Sequence, residues 1–127
     1  MMIDRRMLIA AAALAWAAPA LAFEFQPYEP AEVQKAIASG KPVVVHVYAP
    51  WCLQCHMQAS ILEGLKGDKR YDGVAFYRVD YDNQKDVVGK LDCPRSTVIA
   101  YKGGKEVARM SWGMTKPSVT DVLDKAL

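Results

Sequence analysis

Two of the three cysteines in this chain stand three residues apart, in Trp51-Cys52-Leu53-Gln54-Cys55. A thiolate is both nucleophile and soft metal ligand, and two thiols one helical turn apart can also bond to each other. The spacing therefore supports disulfide exchange, with Cys52 as the attacking sulfur and Cys55 as the resolving one. Such a reading demands bonding distance between the sulfurs and a leading sulfur that meets solvent. Cys93, the third cysteine, lies far along the sequence. It is read either as a partner trap, back-up resolver or third soft ligand, or as an unreactive, partly buried thiol.

The elements that must position the pair are legible on either side. Pro42 to Ala49 is β-branched and aromatic and follows Gly40, which fits a buried strand. Beyond it the apolar period changes: Cys55, Ala59 and Leu62 fall at helical spacing, as do Met57, Ile61 and Leu65. Cys52 thus belongs at the mouth of a helix, where unpaired amides and the positive end of the macrodipole favour thiolate over thiol. At such positions a cysteine pKa falls from about 8.5 to roughly 3.5–7.5.

Composition narrows the function classes. The chain has 127 residues, is 52% hydrophobic and 24% charged, and carries a formal charge of +2 with its basic residues scattered. Nothing in that balance points to nucleic acid or to an anionic membrane surface. Three cysteines are too few for a disulfide scaffold. Residues 1–22 are set apart: Arg5 and Arg6 precede an apolar stretch too short to span a bilayer, and Pro19-Ala20-Leu21-Ala22 offers a cleavage site. They read as a cleaved export signal, by the general or the twin-arginine route, with an uncleaved anchor as the alternative; cleavage leaves 23–127 as one domain in the periplasm with no stable membrane insertion.

Along that domain the pattern predicts a short edge strand at Phe23–Phe25 and a helix opened by Glu29-Pro30 and closed by Ser39-Gly40. The strand from Val43 and the cysteine helix, ending near Lys66, come next. Further strands are expected at Val74–Val79, Thr97–Tyr101 and Glu106–Trp112, with helices from Gln84 to Leu91 and from Thr115 or Pro117 onward. The order is (β)αβαβαββα, an α/β fold with a central mixed sheet of four to five strands covered by helices.

That order, with Trp-Cys-x-x-Cys after the second strand, resembles the thioredoxin family over essentially all of residues 23–127. Val79-Asp80-Tyr81-Asp82, the stretch from Thr97 to Gly104, and Gly113 are similar to family features outside the motif. Lys41-Pro42-Val43 leading to Ala49-Pro50-Trp51-Cys52 resembles the exported domains of thiol–disulfide interchange proteins. The resemblance implies a thioredoxin-like fold and a thiol–disulfide oxidoreductase working without a cofactor, as a monomer, on protein thiols and disulfides and with a redox partner protein. It implies Trp51 as cover of the active site, Cys52 as nucleophile and Cys55 as buried partner. Cys93, Pro94, Arg95 and Ser96 would form the substrate-docking loop.

Three departures from the family pattern stand out. Ser96 occupies the place of the usual cis-proline, and a cis bond before serine costs about 2.5–4 kcal/mol, so a trans Arg95–Ser96 bond is expected. His46 stands where many relatives carry a buried aspartate. It either exchanges a proton with Cys55 or is a buried histidine satisfied by a backbone partner. Ser60 replaces a helix-kinking proline.

Two readings from other classes compete. Without the shielding proline, the sulfurs could hold copper(I), zinc or an iron–sulfur cluster, completed by Cys93, His56 or a second subunit. Cys52-Leu53-Gln54-Cys55-His56 also matches the attachment signature of c-type haem, with His56 as proximal ligand and Met57, Met110 or Met114 as distal candidates.

Overall fold

A computed structural model of the chain describes residues 24–127. The export segment expected at 1–22 lies outside them, as does Phe23. Strand β1 is Phe25–Pro27, two residues later than the sequence suggests. Helix α1 spans Pro30–Ala38 and is capped by the Glu29 carboxylate, which accepts from the Glu32 amide at 2.9 Å. Strand β2, Val43–Tyr48, leads to helix α2, Leu53–Gly64. A 3-10 turn at Lys69–Tyr71, absent from the sequence reading, precedes strand β3, Ala75–Asp80. Helix α3 (Lys85–Leu91), strand β4 (Thr97–Lys102), strand β5 (Lys105–Ser111) and helix α4 (Lys116–Lys125) complete the order.

The five strands form one mixed sheet in the order β1-β3-β2-β4-β5. β1 and β2 flank β3 in parallel, whereas β4 runs antiparallel to both β2 and β5. Period-two alternation along β2 then sorts the core into two layers. Val43, Val45 and Val47 face α1 and α3, packing with Val33, Ile37, Val79, Val87 and Ile99. Val44 faces the other way, with Leu62 of α2, Phe76 of β3, Val98 of β4, and Val119 and Leu123 of α4. β2 is covered on both sides, and so its sequence reads as a nearly continuous apolar run rather than an alternating one.

His46 interrupts that run on the α2–α4 side and is completely buried. The site grows from this layer, because β2 delivers the chain to the helix that holds both neighbouring sulfurs.

Candidate active site

Cys52 is the N-cap of α2: its backbone is extended and its sulfur accepts from the Cys55 amide at 3.2 Å. The turn that reaches it is closed by the Cys52 amide on the Ala49 carbonyl at 3.1 Å, and the Cys52 carbonyl takes the His56 amide at the same distance. One otherwise unpaired helix donor thus points at the leading sulfur, as the physics of the first turn requires. Cys52 and Cys55 are joined as a disulfide, with Cα atoms 5.2 Å apart. Breaking that bond would leave Cys52 facing the same amide, which stabilises a thiolate.

Exposure falls short of what the sequence reading asks. Cys55 is fully buried, and Cys52 is only 2% exposed, because Ala49, Tyr48 and Tyr81 pack around the pair. Only a sliver of the leading residue meets a partner. The surroundings are open by contrast: Trp51 is 58% exposed, Leu53 69% and Trp112 40%. A groove of about 460 Å³ lies to one side, lined by Phe25, Tyr48, Pro50, Arg78 and Asp82 among others, with neither cysteine in its wall.

Trp51 is fixed rather than loose. Its indole N–H donates to both Asp82 carboxylate oxygens, at 3.0 and 2.9 Å, and its ring meets Tyr81 edge-on. Arg95 lies over it, with the guanidinium carbon 4.6 Å from the Trp51 centroid and 4.9 Å from that of Trp112. This double cation–π stack joins the expected docking loop to the residue preceding Cys52. Ser96 follows in a left-handed conformation, φ 60°, fully buried, and no cis peptide bond occurs among the described residues. Its amide donates to the Val47 carbonyl at 2.9 Å, and its carbonyl accepts from the Trp112 amide at 2.8 Å.

Cys93 does not join the pair. It packs half-buried against the α1–α3 layer, on the opposite side of the sheet from His46. Burial pushes its thiol up, which opposes nucleophilic use. Among the described residues no three of His, Cys, Asp or Glu are placed to hold a metal ion. The sulfur that was to complete a metal site is therefore turned into a different core. His56 faces the Tyr48 hydroxyl at 3.2 Å and the Pro50 carbonyl, and both sulfurs a haem would require are bonded to each other.

His46 also departs from its proposed catalytic part. Its Nε2 lies 3.0 Å from Gln58 Oε1, a side-chain partner where a backbone one was expected. Desolvation, reinforced by the positive charge of Arg78 opposite it on β3, lowers its pKa from 6.5 to about 3. The ring is neutral at working pH and a poor proton acceptor. Arg78 in turn stacks over Phe25 at 4.0 Å and Tyr48 at 5.1 Å. Sequence reasoning missed Gln58, Asp82 and Trp112. A polar helix residue defaults to solvent, and the apolar spacing favoured Met57, which is 44% exposed.

The Thioredoxin family profile matches residues 24–125. The chain belongs to the thioredoxin family. It is 44% identical to thioredoxin-2 of Saccharomyces cerevisiae over 81 residues, covering 62% of this chain and 76% of the yeast protein. Thioredoxin of Staphylococcus haemolyticus is 35% identical over 86 residues, or 66% and 81% of the two chains. The crystal structure of Trxlp from Edwardsiella tarda superposes with a TM-score of 0.74 at 33% identity, over 79% of this chain and 98% of that one. A thioredoxin family member with this disulfide at the head of α2 is a thiol–disulfide oxidoreductase, and the sheet of four to five strands anticipated from the sequence has five in the structure.

Proposed function

We propose that this thioredoxin-family chain is exported and exchanges its Cys52–Cys55 dithiol with protein disulfides in the cell envelope, recharged by a redox partner protein. One observation supports protein clients above all: the nearly buried helix-capping Cys52 is flanked in sequence by exposed Trp51 and Leu53, and Arg95 stacks on both Trp51 and exposed Trp112. Exposed apolar side chains beside a recessed cysteine suit a polypeptide laid across them.

In the reducing direction the Cys52 thiolate attacks one sulfur of a client disulfide, forming a mixed disulfide and releasing the other client sulfur as a thiolate. Cys55, deprotonated, then attacks Cys52, closing the Cys52–Cys55 bond and releasing the second client thiolate. Two electrons pass from the protein dithiol to the client, and the protons lost by the two protein thiols balance those gained by the two client thiolates. The reverse sequence donates a disulfide. Arg95 and Ser96 shape the docking face, and monomeric action fits a site assembled within one chain.

Export rests on Arg5, Arg6, the apolar stretch after them and Ala20-Leu21-Ala22. Turnover of a disulfide-bonded protein such as insulin, abolished by Cys52→Ser, tests the activity. Amino-terminal sequencing of protein recovered from an envelope fraction tests the export: a start at Phe23 supports it, and an intact Met1 in the cytoplasm overturns it.

A further inference from the structure

Gln58 is completely buried on α2, one turn beyond Cys55, and both ends of its amide are engaged. Its Nε2 lies 3.0 Å from the Ser96 carbonyl and 2.9 Å from the Gly113 carbonyl, with the Met110 sulfur 3.8 Å away. Two carbonyls only accept, so both must face the NH2 group. A flipped amide would set Oε1 against two oxygens. Oε1 therefore points at His46, and at 3.0 Å from Nε2 it requires a proton there. The ring is neutral, so Nδ1 is the bare nitrogen. The structure agrees, since Nδ1 is buried and meets no hydrogen-bonding group among the described residues. An orphaned acceptor there costs less than a buried N–H left without one.

The same amide reaches the loop beside the disulfide. The Ser96 carbonyl receives the Gln58 and Trp112 donors together, and the Ser96 amide is spent on the Val47 carbonyl, which lies 3.9 Å from the Cys55 sulfur. Held at both ends, a non-glycine residue is kept in the left-handed region where the family has its proline. Three segments distant in sequence are thus tied by one side chain: β2 through His46, the loop through Ser96, and the entry to α4 through Gly113.

We propose that Gln58 is a positioning residue: it fixes His46 in the neutral Nε2–H tautomer and anchors the left-handed turn at Ser96 that sets the docking loop against the cysteine pair. The tautomer stands on hydrogen-bond geometry and the burial of the ring, whereas the docking part rests on the function proposed above.

Nitrogen NMR of the wild-type protein tests the first part without any variant. His46 should show a protonated Nε2, a bare Nδ1 and no titration between pH 5 and 9. The opposite tautomer, or a ring titrating near neutrality, overturns the proposal. The second part is read from two substrates, insulin and the small disulfide 5,5′-dithiobis(2-nitrobenzoate). Gln58→Met removes both donors and the acceptor at nearly constant length. It should lower kcat/KM for insulin about tenfold while leaving the small disulfide within about twofold. Gln58→Glu puts a carboxyl group with at most one proton to donate where the amide has two, so it cannot serve the Ser96 and Gly113 carbonyls together. It should likewise lose insulin turnover. Equal losses on both substrates, or none on either, overturn the positioning role. A wild-type protein that reduces the small disulfide but never insulin overturns the client assignment instead, leaving the tautomer to stand on its spectrum. If both variants fail to fold, amide exchange in the wild type decides: Trp112 and Ser96 should be among the slowest outside the sheet, and fast exchange there refutes the anchor.

Discussion

The indole of Trp51 is held by the Asp82 carboxylate across 31 residues of sequence, at 3.0 and 2.9 Å to its two oxygens. Because Trp51 precedes the N-cap sulfur, this bond sets the wall against which a client would lie.

Asp82→Ala should therefore free the ring without unfolding the chain. An exposed hydrogen bond is worth about 1 kcal/mol, so the melting temperature should shift by only a few degrees. Turnover of a protein disulfide should fall about threefold to tenfold, since orientation at the reacting atoms is lost. In a Trp112→Phe background lacking residues 1–22, the fluorescence anisotropy of Trp51 should decay faster once Asp82 is removed. An unchanged decay would show that Tyr81 and Arg95 hold the ring by themselves.

Removing each sulfur should separate the two chemical roles. Cys55→Ser leaves the sulfur that accepts the helix amide and deletes its resolver, so client protein should accumulate as a mixed disulfide on Cys52, visible on a non-reducing gel. Cys52→Ser should form no adduct and show less than about 1% of wild-type turnover. Adducts on Cys55 in that variant would reverse the assignment.

The depressed pKa of His46 makes stability depend on pH in a defined direction. The unfolded chain takes a proton below about 6.5, whereas the native ring refuses it until about 3. The native state thus keeps its full stability above pH 6.5 and loses it as the pH falls toward 3, by up to roughly 1.4 kcal/mol per unit. Arg78 across the strands, Gln58 from α2 and the neutral Tyr48 and Phe25 rings face the imidazole, and none supplies a counter-charge. Between pH 7.5 and 4.5, denaturant melts should show the wild type losing about 2–3 kcal/mol more than His46→Asn. Equal losses would mean that His46 titrates normally.

Cys93 should behave as a packing residue. Its thiol is half-buried and its pKa is raised, burial being the largest cause. In the reduced protein at pH 7.5, iodoacetamide should modify Cys52 first and Cys93 at least about tenfold more slowly. Cys93→Ser should change turnover by less than about twofold. Rapid labelling of Cys93 in the oxidised protein would restore it as a reactive group.

What the sequence disclosed was whatever depended on neighbours along the chain. The β-branched run before Pro50 and the period change after Cys55 placed the sulfurs at a strand-to-helix junction, and local sterics enforce that junction. Gln58 was invisible for the opposite reason. Its partners Ser96 and Gly113 lie 38 and 55 residues away, and a glutamine gives no sign of burial until tertiary packing supplies two carbonyls. Trp112 was assigned to the final strand, but β5 ends at Ser111 and Trp112 turns left-handed at φ 70°, its amide recruited by Ser96. Tyr71 is likewise placed by distant groups, packing in the core with α4 and donating its hydroxyl to Asp124 at 2.7 Å.

The disulfide spans a sequence separation of only three, inside the first turn of an already folded helix. By loop-closure scaling so small a ring constrains the unfolded chain by about 2 kcal/mol, against nearly 5 for a hundred-residue loop. The scaffold therefore has less than half as much at stake in that bond as it would have in a long-range cross-link. The strand pairings of the sheet are backbone ladders that do not run through either sulfur, so opening the bond removes a short local tether and none of the sheet's own hydrogen bonds.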